Sequence, residues 1–190
     1  MLQLVAGLAI FFAVHSLAIV AGGWRERTVA RIGLQPWKVV YSVASLVGFV
    51  LIVRGYIEAR LDPIPVYEPP FWLRHVSMLL MLPVFPLLLS AHLPGRIKSA
   101  VKHPMLTATK AWAVAHLLAN GMLADVLLFG AFLTWAVLDR ISVGKRPQAA
   151  TRPATGPIRN DVIAVVAGLA IYVFFVVWAH QKLFGIPPMP

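Results

Sequence analysis

The sequence predicts an all-α fold, a polytopic bundle of transmembrane helices with about six membrane passes. Three observations carry that expectation. Apolar residues make up 59% of the 190 residues and charged residues only 13%, against roughly 45–50% apolar in a soluble domain. A soluble chain this short has too little interior for so many apolar side chains. The apolar residues also come in runs close to the ~20 needed to cross a hydrocarbon core. Finally, a formal net charge of +10 is gathered between the runs, where a bilayer's anionic inner leaflet attracts it.

The first run, Leu2 to Gly22, carries His15 as its only ionisable side chain. Its charges follow rather than precede it, so it reads as a retained span instead of a cleaved signal. Val39 to Ile57 is the second, with Arg54 near its end able to snorkel. Leu73 to Leu93 is the third, and Pro83 and Pro86 predict a kink in it. Thr107 to Leu138 is too long for one ordinary span, and Asn120-Gly121 interrupts it with a turn signal. It reads as a short hairpin, with one long kinked helix as the competing form. Asp161 to Ala179 is the last run, with Asp161 as its expected N-cap.

Charge placement favours the hairpin. Arg25, Arg27, Arg31 and Lys38 follow the first run; Arg96, Lys98, Lys102 and Lys110 follow the third; Arg140, Lys145, Arg146, Arg152 and Arg159 precede the last. The positive-inside rule puts these three segments in the cytoplasm, so the stretch between the last two must leave and return. Both termini are then extracytoplasmic, beside Glu58, Asp62 and Glu68. The whole of residues 1–190 reads as a single membrane domain, with 145–157, rich in Pro, Ala, Thr and Arg, as a flexible cytoplasmic linker.

No cysteine is present, which excludes disulfides, thiolate nucleophiles and cysteine-held metal centres. The spans hold no HExxH, paired Asp or clustered Glu, and no Walker loop or zinc-finger spacing occurs. Basic residues are dispersed through loops, so nucleic acid is not an expected partner. An ionisable group within a span is a functional candidate by default, and this directs attention to histidines. His75 and His180 fall at span ends. His15 and His116 fall inside, at similar expected depth in the cytoplasmic half, if Lys110 marks the interface. Two imidazoles on different helices can hold a b-type haem as axial ligands; the bland alternative is two polar rings satisfied by nearby carbonyls. His92, His103 and Asn120 are candidates for groups that brace such ligands. Asp125 is the carboxyl group inside the hairpin, placed to cap its second arm or to pair with a donor on the outer side. The aromatic residues Phe11, Phe12, Phe174, Phe175 and Trp178 are expected to pack against helices or lipid.

His103-Pro104-Met105, Trp112 and Ala115-His116-Leu117-Leu118-Ala119-Asn120-Gly121 closely resemble the signature of the bacterial NnrU family. Leu128-Phe129-Gly130, Trp135, Asp139-Arg140-Ile141-Ser142 and Val14-His15-Ser16 continue the resemblance. It implies an inner-membrane protein associated with denitrification, in support of nitrite and nitric oxide reduction. NnrU proteins are similar in turn to the zeta-carotene isomerase, a membrane haem b enzyme. Its two haem histidines lie in contexts resembling those of His15 and His116, which implies haem b and axial ligation by these two. The isomerase has a cysteine where this chain has Ala113, and another histidine near Arg54 to Ile57 where this chain has none, so an exchange between His and Cys ligands is not available. Lys102-His103-Pro104 also resembles a turn of membrane methyltransferases, but no glutamate follows Glu68 to complete their site.

Three functions follow. The first is a haem b protein supporting denitrification, acting on a small or lipidic substrate with a reductase or electron-transfer partner. The second is a haem-dependent isomerase of a polyene lipid. The third is a non-catalytic assembly factor.

Overall fold

The computed structural model describes residues 1–145 and 155–189. Its helices are α1 (Leu2–Val20), α2 (Gly22–Ile32), α3 (Leu34–Ala59), α4 (Leu73–Met81), α5 (Val84–His92), α6 (Arg96–Val101), α7 (Pro104–Ala119), α8 (Leu123–Gly144) and α9 (Ile158–Phe174). A π-helical turn over Phe175–Ala179 joins α9 to α10 (His180–Phe184). Among the described residues there is no strand, only an isolated bridge between Pro65 and Met122. Of the proposed linker, residues 146–154 lie outside the described residues; at its far end Gly156 abuts Pro94.

Five helical stretches are long and apolar enough to cross a membrane: Leu2–Val20, Leu34–Ala59, Leu73–His92, Leu123–Gly144 and Ile158–Phe184. α7, with 16 residues, is about 24 Å long and forms the shorter arm of a hairpin with α8. The turn between them is at Asn120-Gly121-Met122. The stretch is thus a hairpin and not one kinked helix. The third span is interrupted at its proline: α4 ends at Met81 and α5 begins at Val84, while Leu82 and Pro83 between them keep right-handed helical dihedrals, so the span continues through the kink the prolines predict.

The helices pack in lateral order α3, α1, α8, α7, α4–α5, α9. The α1–α3 contact is the closest. A Cβ on Gly48 would lie 2.8 Å from the Phe11 nitrogen, and one on Gly55 would run into the Leu4 backbone. Small residues allow this approach where helices associate mainly by van der Waals contact. At the other side of the bundle Gly168 of α9 meets Pro86 of α5, and the Tyr172 hydroxyl donates to the Met78 carbonyl across 3.1 Å.

The loop after α3 is stitched to the hairpin turn. Val66 N–H donates to Gly121 O at 2.9 Å, and Leu123 N–H to Ile64 O at 2.8 Å. The Tyr67 hydroxyl donates to Leu117 O and Asn120 O. Arg60 adds a bond to Phe184 O at 2.9 Å. These bonds gather one end of the bundle, with Glu58, Asp62 and Glu68 on it. The segments 21–38, 92–104 and 140–145 gather at the other end, which carries most of the described Lys and Arg.

Asp161 does not cap its own helix. That helix starts three residues earlier, at Ile158, with Pro157 in the cap position. The Asp161 carboxyl instead accepts from Arg96 N–H at 2.9 Å and Ile97 N–H at 3.0 Å. It therefore supplies the acceptors that the start of α6 needs. A Cβ on Gly95 would collide with it, so glycine at that position admits the contact.

Candidate functional site

An aromatic seam runs through the middle of the bundle, where α1 and α7 both pack on α8. Phe11 and Phe12 come from α1, Trp112 from α7, and Phe129, Phe132 and Trp135 from one side of α8. Phe132 is its centre, with ring centroids 5.7 Å from Phe11, 4.9 Å from Phe12 and 5.4 Å from Trp112. Spacing of three residues puts 129, 132 and 135 on neighbouring turns. The seam ends in a histidine at each side.

His15 stacks on Phe11 at 4.0 Å and meets Tyr41 and Trp135 at 5.3 and 5.9 Å. His116 stacks on Phe129 at 4.5 Å and meets Trp112 at 5.2 Å. The two share a backbone device. His15 Nδ1 lies 2.7 Å from Phe11 O, and His116 Nδ1 lies 2.8 Å from Trp112 O, each one turn back along its own helix. A carbonyl only accepts, so Nδ1 carries a proton; in the neutral ring this leaves the lone pair on Nε2. In ligating histidines such a bond fixes tautomer and ring orientation.

The depths differ from the sequence expectation. His15 sits beside Trp135 and His116 beside Phe129, six residues apart on α8, or about 9 Å along its axis. The cause is the start of α7. Pro104 occupies its first turn, where a missing N–H costs nothing, so the helix begins six residues before Lys110. His116 is thereby carried to within one turn of the hairpin end.

Tested against haem b, each imidazole alone fits an iron: Nδ1 is tied, Nε2 is free and the walls are apolar. As a pair they are separated by Phe11, Phe12, Phe132 and Trp112. One iron between them requires those rings to turn aside and the imidazoles to converge.

The three bracing candidates divide. Asn120 donates from Nδ2 to His116 O at 2.9 Å, and its own backbone N–H donates there too. His92 is exposed at the end of α5, apart from the seam. His103 precedes α7 at the basic end; burial, and after it the Arg140 guanidinium, hold its imidazole below the ordinary value. Lys102 beside it has φ +64°, and His103 N–H donates to Val101 O across it at 2.7 Å, a strained γ-turn. Among the described residues no group of three or more His, Cys, Asp or Glu could hold a metal ion.

Asp125 performs both tasks expected of it. It is 6% exposed. Oδ2 accepts from Met122 N–H at 3.3 Å, closing the start of α8, and Oδ1 accepts from the Tyr56 hydroxyl of α3 at 2.5 Å. Tyr56, Trp112, Phe129, Phe132 and Trp135 were missed as site residues. The legible signal for part of this set was an aromatic four positions before each histidine, Phe11 before His15 and Trp112 before His116.

No curated protein matches the chain, and no solved structure does. The family model described as NnrU protein matches residues 3–188, which take in all five candidate spans (the first from Gln3), α7 and the seam. The chain therefore belongs to the NnrU family, as a multi-pass membrane protein.

Proposed function

We propose that this NnrU protein works in the cytoplasmic membrane of a denitrifying bacterium, supports nitrite and nitric oxide reduction there, and binds haem b through His15 and His116. The matching histidine devices at the two ends of one aromatic seam carry the reading. In the neutral ring both contacts leave the Nε2 lone pair available, and a neutral imidazole offered from an apolar wall is a good haem ligand. When bound, haem supplies one-electron chemistry.

The chain's own residues bind, orient and shield. The Phe11 and Trp112 carbonyls hold the imidazole planes. Asn120 steadies the His116 main chain at the helix end. Phe12 and Phe132 fill the seam and exclude water from it; for one haem to reach both histidines they would have to turn aside, together with the Phe11 and Trp112 rings. With the basic end in the cytoplasm, His15 lies nearer that side and His116 nearer the opposite one.

The test is the visible spectrum of protein purified from haem-replete cells. A Soret band of a six-coordinate low-spin iron is expected, with conversion to high spin or loss in both His15→Ala and His116→Ala. A wild-type protein without a Soret band, or a spectrum indifferent to both substitutions, overturns the proposal.

A further inference from the structure

The short helix α2 does not belong to the core. None of its residues is buried, and among the described residues it packs mainly against α1 and α3. It is pinned there by Trp37, which is 8% exposed. The Trp24 ring meets Trp37 edge-on at 6.0 Å, and the Arg25 guanidinium lies over the same indole at 6.0 Å. This anchor fixes which side of α2 turns away from the protein.

That side carries Arg27 and Arg31, both exposed, with the half-exposed Trp24 at its edge, one side of its ring on Trp37. Arg27 and Arg31 are one turn apart, where like charges destabilise a helix. No acid stands three or four positions from either one; Glu26, the acid of α2, projects about 100° from Arg27 around the axis. Apolar side chains border the pair: Trp24, Ile32 and Leu34 are 49%, 46% and 47% exposed. An exposed cationic pair beside an indole, on a helix lying where two spans meet the bilayer surface, is the composition of an interfacial helix. Planar guanidiniums match phosphate oxygens in bidentate fashion.

We propose that the Trp24–Arg27–Arg31 face of α2 is a binding surface for anionic phospholipid, each guanidinium holding a headgroup phosphate while Trp24 and Leu34 sit among the upper acyl carbons. The lipid's negative charge relieves the Arg27–Arg31 repulsion, which a zwitterionic headgroup does less well. Bound lipid thereby braces the junction between α1 and α3, the closest helix pair in the bundle.

The test uses the full-length protein in detergent, titrated with phosphatidylglycerol or phosphatidylcholine, with bound lipid counted by native mass spectrometry. Phosphatidylglycerol should bind more tightly. The double variant Arg27→Gln/Arg31→Gln should lose about fivefold in affinity per arginine, roughly twentyfold or more together. Arg74→Gln, exposed at the opposite end, should change nothing. Both α2 arginines are exposed, and an unchanged size-exclusion profile shows that the variant folds. Equal binding of the two lipids overturns the proposal, as does phosphatidylglycerol affinity within about twofold of wild type in the double variant.

Discussion

Replacing Tyr56 and Asp125, singly and together, tests how the hairpin is fixed to the rest of the bundle. The Tyr56 hydroxyl donates to Asp125 Oδ1 at 2.5 Å, and Oδ2 accepts from Met122 N–H. Asp125→Ala removes the cap, worth about 1 kcal/mol, and strands a half-buried hydroxyl, at about 1–3 kcal/mol. The sum is roughly 2–4 kcal/mol. Tyr56→Phe leaves the carboxyl group with its backbone donor alone and costs about 1–3 kcal/mol. Once Asp125 is alanine, Tyr56→Phe has little left to lose, so the double variant should fall about 1–3 kcal/mol short of additivity. Asp125→Asn, which keeps an acceptor for the tyrosine, should lie between wild type and Asp125→Ala. Unfolding in mixed micelles, followed by tryptophan fluorescence, gives the four free energies. Additivity within about 0.5 kcal/mol would refute the reasoning and mean that the two residues act separately.

Three further outcomes follow from the packing. Gly55→Ala should lose about 1–3 kcal/mol, since its Cβ would enter the Leu4 backbone, whereas Gly130→Ala, with open space around its Cβ position, should gain about 0.5–1 kcal/mol as a helix-interior glycine replaced; both are read by the same unfolding assay. Asp161→Ala should cost about 1–3 kcal/mol and speed amide exchange at Arg96 and Ile97, measured by hydrogen–deuterium exchange. His103 has a folded value below its ordinary one, so the unfolded chain binds the proton more readily. Its contribution is complete above about pH 6.5 and declines as pH falls toward the folded value. The stability lost between about pH 7.5 and about pH 5.5 should therefore shrink in His103→Gln, and an unchanged slope would remove His103 as its source.

Spans were legible because apolar runs of membrane length leave few alternatives, and Asn120-Gly121 marked the turn that splits the fourth run. Helix starts were less so. Lys110 looks like an interface residue, yet α7 begins at Pro104 and carries the lysine six residues inward. That single shift moved His116 away from the level of His15. Asp161 resembled a local N-cap because acids favour helix starts, but its acceptors serve α6, a partner no local pattern names. The seam shows the same limit. Phe11 and Trp112 stand at helical spacing from their histidines and could be found by eye, while Phe132 is central only because α8 lies between α1 and α7. The histidines themselves were visible as polar groups in apolar runs; their separation was not.

The Asp161 clasp also has a meaning in time. Its partners, the amides of Arg96 and Ile97, precede it by 65 and 64 residues. At a synthesis rate of about 5–20 residues per second, the nascent chain carries those amides uncapped for roughly 3–13 s before their acceptor is made. A ribosome that stalls or a message that ends before Asp161 leaves the α5–α6 junction open for good. The junction between the third span and α6 is thus finished only by a residue of the last span.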